Sequence, residues 1–217
     1  MGVTMRAYIK SRFLRQSILA FTGMPLLIWA MGNFPERSVL KELLSLMTIL
    51  VFCQMMGQFF WARTNRLVTG NLRMSQVTRY HKIVGYIFIP LLFFHPVLLV
   101  VPRFFESGVA PVEAFITIVS TLNQGVVLGI IAWCLMLILG ITSFARKKLS
   151  MGYKTWRFFH GILAILFMVA ATWHVIDLGR HSTIAMSALI IIVSAIGVLL
   201  LLKCYALKIP TKRKTVQ

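Results

Sequence analysis

Long apolar stretches alternate with short polar segments along the whole chain. Six of these stretches lie near 15–33, 41–61, 82–102, 124–144, 158–178 and 183–203. A helix needs about 20 predominantly apolar residues to cross the hydrocarbon core of a bilayer, and each stretch has roughly that length. The pattern therefore predicts an all-α integral membrane protein, built as a bundle of six transmembrane helices.

The composition supports this prediction. Hydrophobic residues make up 59% of the 217 residues, and charged residues only 13%. Soluble domains are usually about half apolar and about a quarter charged. The length leaves room for one compact bundle, so we expect a single domain over residues 1–217.

The positions of the charges predict the orientation. Of the 23 Lys and Arg residues, 19 lie in the N-terminal segment, in the connections after the second and fourth spans, or at the C-terminal end. Basic residues accumulate on the cytoplasmic side, so both termini are predicted to be cytoplasmic. The net charge is +18, but the basic residues that produce it lie mostly between or beside the apolar spans. This placement indicates contact with a lipid bilayer and no nucleic-acid partner. We expect the bacterial inner membrane as the location.

Four of the five histidines form two pairs with the same spacing. His81 and His95 are 14 residues apart in the third stretch, and His160 and His174 are 14 apart in the fifth. Fourteen helical residues rise ~21 Å and return to within ~40° of the same face. The predicted topology makes these two helices parallel. His81 should therefore lie level with His160 on the cytoplasmic side (the inner pair), and His95 level with His174 on the external side (the outer pair).

This arrangement predicts two metal centres stacked across the membrane, each bound by two imidazoles. Neutral imidazole is a good axial ligand of haem iron, whereas a bare zinc ion needs three or four converging ligands. The three cysteines are isolated and no C-x-x-C-H motif occurs, so the haems would be non-covalent haem b. The alternative is that the histidines only bond neighbouring helices. It is disfavoured because ionisable residues inside a membrane are usually functional.

Two segments carry a family resemblance. They are Arg79-Tyr80-His81-Lys82-Ile83-Val84-Gly85-Tyr86 followed by His95-Pro96, and Trp156-Arg157-Phe158-Phe159-His160-Gly161 followed by His174. Both are similar to the ferric reductase-like transmembrane domain. That superfamily includes NADPH oxidases, ferric reductases and the haem-binding subunit of the bacterial methionine sulfoxide reductase system.

The resemblance implies a six-helix core that binds two b haems between the third and fifth helices. His81 and His160 would ligate the inner haem, and His95 and His174 the outer one. Electrons would pass from a cytoplasmic flavin to an external acceptor. In oxidases of this family an arginine and a histidine near the outer haem assist oxygen reduction, and Arg180 and His181 are the candidate counterparts.

The chain contains no G-x-G-x-x-G motif, flavin-binding barrel or nicotinamide domain. We therefore expect a separate cytoplasmic flavin reductase as electron donor, with a flavin or quinone supplied by or bound with a partner. The acceptor would be a metal ion, oxygen or a periplasmic redox protein. The chain would be the haem-binding membrane component of an oxidoreductase.

Two other functions stay open at this point. Gln54 and Gln58 lie one turn apart and could line the quinone site of a quinol-linked cytochrome b membrane anchor, or could bond another helix. A non-redox transporter is the weaker alternative, because it would need acids along a path through the membrane. The five acidic residues all lie on or near the predicted external side: Glu36, Glu42, Glu106, Glu113 and Asp177.

Overall fold

The computed structural model describes residues 12–62, 73–106 and 108–206. All regular structure in these ranges is helical. We number the helices α1 (residues 12–30), α2 (Val39–Phe60), α3 (Met74–Leu98), α4 (Pro111–Ser120), α5 (Gln124–Phe144), α6 (Tyr153–Leu178) and α7 (Ile184–Ala206). Short 3-10 turns, Val101–Phe104 and Ala145–Lys147, follow α3 and α5.

Five helices, namely α2, α3, α5, α6 and α7, are long and apolar enough to cross a membrane. They correspond to the last five predicted spans, and the prediction of an all-α membrane protein is confirmed. The first predicted span, near 15–33, corresponds to α1, which is not among the five. Six spans and cytoplasmic termini therefore stay predictions.

A π-helical turn interrupts α1. The helix runs as Arg12–Ile18, a π-helical Leu19–Gly23 and Met24–Ala30. Pro25 has no N–H to donate to the preceding turn, and a wider turn of this kind is a usual way for a helix to accommodate such a loss. Hydrogen bonds join α1 to the C-terminal half of α2 and to the residue after it. Trp61 Nε1 donates to Ser17 Oγ at 2.9 Å, and Gln54 Nε2 donates to Thr22 Oγ1 at 2.7 Å and to the carbonyl of Phe21 at 3.2 Å.

The predicted limits of the third span were wrong. Helix α3 begins about two turns before residue 82 and ends at Leu98 rather than near residue 102. Hydropathy marks where a helix is apolar, whereas the mostly polar segment Ser75 to Arg79 continues the same helix outside the apolar stretch. At the other end, Pro102 follows in a separate 3-10 turn, since proline cannot continue the α-helical bonding pattern.

The main core is formed by α2, α5, α6 and α7. Its fully buried residues include Met56, Met136, Met168 and Ile190, one from each helix. Helix α3 is peripheral to this core: it packs against α2 and to a lesser extent α5, and only Val77 and Val84 of it are buried. The backbones of α3 and α6 are therefore not tightly packed together, and their histidine side chains meet across the space between them.

Candidate functional site

Both histidine pairs come together in the combination expected for parallel helices. The ring centroids of His81 and His160 are 6.5 Å apart, with ring planes at 68°. Those of His95 and His174 are 6.4 Å apart, with planes at 75°. The two sites thus have nearly the same geometry at two levels of the bundle. Metal binding by these residues stays a prediction.

Helix α5 orients the ring of His174. The Nδ1 atom of His174 lies 2.9 Å from the carbonyl oxygen of Gly125. A carbonyl only accepts hydrogen bonds, so Nδ1 carries the proton and Nε2 keeps its lone pair. A bond of this kind to the second ring nitrogen is what usually orients a metal-binding histidine.

The same helix orients His160 through a hydroxyl group. Ser143 Oγ lies 3.4 Å from His160 Nδ1 and donates its own proton to the carbonyl of Leu139 at 2.6 Å. Since the hydroxyl proton is already used, Ser143 accepts from Nδ1–H, and Nε2 of His160 is again the nitrogen available as a ligand.

The two histidines of α3 are held differently. Gln58 Nε2 donates to the backbone carbonyl of His81 at 3.1 Å, which ties this turn of α3 to α2. The Nδ1 atoms of His81 and His95 are buried and have no hydrogen-bond partner among the described residues. A buried unsatisfied polar atom costs about 1–3 kcal/mol, and such atoms in a native protein call for an explanation. If these nitrogens are the ones that bind a metal, the α3 histidines would differ from those of α6, whose Nδ1 atoms are already hydrogen-bonded.

The geometry fits a bis-imidazole haem site. Two imidazoles that bind one metal from opposite sides through bonds of about 2 Å have ring centroids roughly 6–6.5 Å apart. Both observed spacings, 6.5 and 6.4 Å, agree with this. In the part of the chain that the structure describes, no three His, Cys, Asp or Glu residues converge as a bare metal ion would require. The residues therefore fit haem better than zinc.

Sequence reasoning missed two close contacts of the α6 histidines. Gly129 of α5 faces His174, and a Cβ atom at this position would lie 2.5 Å from the ring nitrogen Nδ1. Trp156 stacks on His160, with ring centroids 5.0 Å apart and planes at 30°. The sequence separations of Trp156 and Gly129 from other site residues could have indicated both contacts. Trp156 precedes His160 by one helical turn, and Gly129 and Ser143 are separated by 14 residues, like the histidines.

Gln54 and Gln58 both make bonds between helices. The amide of Gln54 donates to Thr22 Oγ1 and to the carbonyl of Phe21, and that of Gln58 to the carbonyl of His81. Such interhelical bonds are the alternative to a quinone site that the sequence left open for these two residues. Gln58 matters for the inner pair because it holds the backbone of one of the two histidines.

Arg180 and His181 join two connections at the predicted external end. The guanidinium of Arg180 donates to the backbone carbonyl of Pro35, between α1 and α2. The ring of His181 is only 1% exposed, packs edge-on against Phe34 at 4.4 Å between centroids, and has Nε2 3.2 Å from a carboxylate oxygen of Glu42. The contacts described for these residues hold loops together, and a catalytic role for them stays a prediction.

The burial of His181 predicts a pH-dependent stability. Burial lowers its pKa, as do Arg180 and Arg37, although Glu42 opposes the shift. Below about pH 6.5 the unfolded chain binds a proton at this residue that the folded protein does not, so stability falls as the pH decreases. We expect His181→Phe to reduce the difference between melting temperatures at pH 7.5 and pH 5, measured on purified protein in detergent.

Thr183→Ala is the matched control for this measurement. The Thr183 hydroxyl accepts from the N–H of Met186 in the first turn of α7, and its removal should cost about 1 kcal/mol at both pH values. An unchanged pH dependence in His181→Phe would show that another group is responsible.

Comparison with known proteins identifies the family of this chain. The profile of the family described as "Ferric reductase like transmembrane component" matches residues 46–171, which include His81, His95 and His160 and end three residues before His174. The chain belongs to this family. The resemblance noted from the sequence is thereby confirmed, and membership of this family indicates membrane electron transfer.

A relative with uncharacterized function gives a second match. A protein of Archaeoglobus fulgidus is 42% identical over 168 residues, which is 77% of this chain and 92% of the relative. This relative is archaeal, so a bacterial location for the present ferric reductase-like protein stays a prediction. No solved structure matches the chain.

Proposed function

We propose that this ferric reductase-like protein is a di-haem b electron conduit of six membrane spans with cytoplasmic termini. The observation that carries the proposal is the repeated histidine pair, with ring centroids 6.5 Å apart at one level and 6.4 Å at the other. Two equal sites on the same two helices suit a stepwise passage through the membrane better than a single binding site would.

The four histidines would each supply one ring nitrogen as a haem ligand, and for His160 and His174 this would be Nε2, because their Nδ1 atoms are hydrogen-bonded. His81 and His160 would hold the inner haem, and His95 and His174 the outer one. Haem iron, when bound, accepts and releases one electron. With both imidazoles of a pair as ligands, the iron would keep no free position for a gas, which would favour electron transfer. The apolar helices around the sites exclude water.

Helix α1 would be a membrane span in addition to the five long apolar helices. Its continuous helical segment, residues 12–30, is ~28 Å long at the helical rise of 1.5 Å per residue, close to the thickness of the hydrocarbon core. Its bonds to the C-terminal part of α2 are consistent with an antiparallel neighbour inside the same bundle. With α1 included, the even number of spans places both termini on the basic side.

The electron donor and acceptor would be other molecules. A cytoplasmic flavin reductase is the proposed donor, as the family resemblance implies. It would reduce the inner pair, because the basic residues near that end of α3 and α6 favour a cytoplasmic location. A metal ion, oxygen or an external redox protein is the proposed acceptor at the outer pair. As a family member with this arrangement, the chain would act as the haem-binding membrane component of an oxidoreductase.

Visible spectroscopy with haem quantification tests the proposal. Protein purified from haem-replete cells should show the reduced-minus-oxidised bands of low-spin haem b, with close to two haems per chain. Colourless protein, or a single haem per chain, would contradict the di-haem assignment. The full chain in mild detergent is the suitable sample, since both pairs depend on helix packing.

A further inference from the structure

The ligand of the inner pair on α6 lies at the end of an aromatic stack. Trp156 stacks on His160 with ring centroids 5.0 Å apart, and Tyr153 stacks on Trp156 at 6.1 Å with planes at 22°. The indole N–H of Trp156 donates to the backbone carbonyl of Thr142 at 3.3 Å. The indole ring is thus tied to α5 at one edge and covers the imidazole with its face.

A cation lies over the same stack. The guanidinium carbon of Arg146 is 4.5 Å from the centroid of the Tyr153 ring and 5.1 Å from that of Trp156. Both distances are within the ~6 Å range of a cation–π interaction. Arg146 therefore has a defined position beside the first turn of α6, whereas a solvated lysine or arginine samples many positions.

The outer pair is built differently. His174 has a hydrogen bond to the carbonyl of Gly125 and the close approach of Gly129. The one ring contact described for it is with its partner His95. Its neighbour Trp173 is 53% exposed. The two sites share their histidine spacing, but among the described residues an aromatic stack with a cation over it adjoins the inner pair and not the outer one.

We infer that Trp156 is a positioning residue that fixes the plane of the His160 imidazole, and that Arg146 places a positive charge over the indole ring that covers this ligand. Together they would give the inner redox centre a ligand geometry and a reduction potential distinct from those of the outer one. A positive charge nearby favours the state that has gained an electron. Arg146 therefore raises the inner reduction potential. This inference rests on the proposed di-haem function.

Electron paramagnetic resonance of the oxidised full-length protein tests the role of Trp156. The low-spin signals of bis-imidazole haem depend on the angle between the two imidazole planes, which is 68° at the inner pair. Trp156→Leu removes the stacking face and should shift the signal of one haem only. Trp156→Phe keeps an aromatic face and should restore most of the wild-type signal.

Trp133→Leu is the matched control. Trp133 also stacks on an aromatic ring, Phe93 at 5.5 Å, and its indole N–H also donates to a backbone carbonyl, that of Phe93 at 3.0 Å. Its removal should leave both signals in place, which separates positioning from general loss of packing. If Trp156→Leu does not fold, equal midpoint potentials in Arg146→Gln and Lys147→Gln would still overturn the inference.

Redox titration tests the role of Arg146. Arg146→Gln should shift one of the two midpoint potentials to more negative values, and the shift should shrink as ionic strength rises, because salt screens an exposed charge. Lys147→Gln removes the same charge from the same 3-10 turn, where Lys147 has no ring contact among those described. It should shift the potential less.

The outcomes separate this inference from the proposed function. Wild-type protein without haem would overturn both. Wild-type protein with two haems, combined with unchanged resonance signals in Trp156→Leu and equal potentials in Arg146→Gln and Lys147→Gln, would overturn the inference alone. Shifts of both haems to the same extent would also contradict it, since only the inner pair adjoins the stack.

Discussion

Replacing His174 by leucine should remove one of the two b haems from the purified protein and leave the other in place. Each pair supplies one imidazole from α3 and one from α6, and their ring centroids are 6.5 and 6.4 Å apart. Loss of one axial ligand leaves a haem attached to a single helix, while the other pair, four turns away, keeps both of its ligands. Haem quantification per chain gives the result directly.

Double variants test the pairing itself. His95→Leu combined with His174→Leu should lose no more haem than either single change, because both residues belong to the outer pair. His81→Leu combined with His174→Leu should lose both haems. His181→Phe is the control, since the fifth histidine lies against Phe34 and Glu42. A His95 and His174 double variant that keeps two haems would refute the pairing.

Adding a single methyl group at Gly129 should have an effect nearly as large. The Cβ of alanine there would lie 2.5 Å from Nδ1 and 2.6 Å from Cε1 of His174, closer than real Cβ contacts. Either the ring leaves its position and its bond to Gly125, or α5 moves away from α6. Both should abolish binding at the outer pair in Gly129→Ala, with the inner haem retained.

Gly140→Ala provides the comparison on the same helix. Its Cβ would lie 3.6 Å from the Cγ2 atom of Ile89, an ordinary van der Waals contact. Both variants add one methyl group to α5, so they differ mainly in what that group meets. Full haem content in Gly129→Ala would show that His174 does not need this close packing, and would count against the ring position described here.

The apolar pattern predicted most of the fold because span length is a local property. Five of the six predicted stretches correspond to helices long enough to cross a membrane. The helices differ from the apolar stretches in two places. Helix α3 continues through polar residues before its apolar stretch, and Pro25 follows a π-helical turn in α1. Neither feature can be detected from the mean hydropathy of a stretch.

The sequence predicted the four histidines of the candidate site but not the residues that contact their rings. The spacing of the four histidines follows from helical periodicity, but the residues that hydrogen-bond the two α6 rings lie on α5, which carries no histidine. Gly125 and Ser143 supply the acceptors for His174 and His160. Arg180 and His181 attracted attention because they are basic on the external side, and their described contacts are with Pro35, Phe34 and Glu42.

The sequence by itself determined the length of the apolar stretches and the 14-residue repeat, which together place two imidazoles on one face of each of two helices. Only the tertiary structure decided that α5 lies along α6 and that α3 stands apart from it, so that histidine rings meet at two levels with Trp156 beside one and Gly129 beside the other. The physical reason is that helical periodicity is set by backbone geometry within a few residues. The choice of neighbouring helices depends on many weak packing contacts summed over whole helix faces, and these leave no local signature.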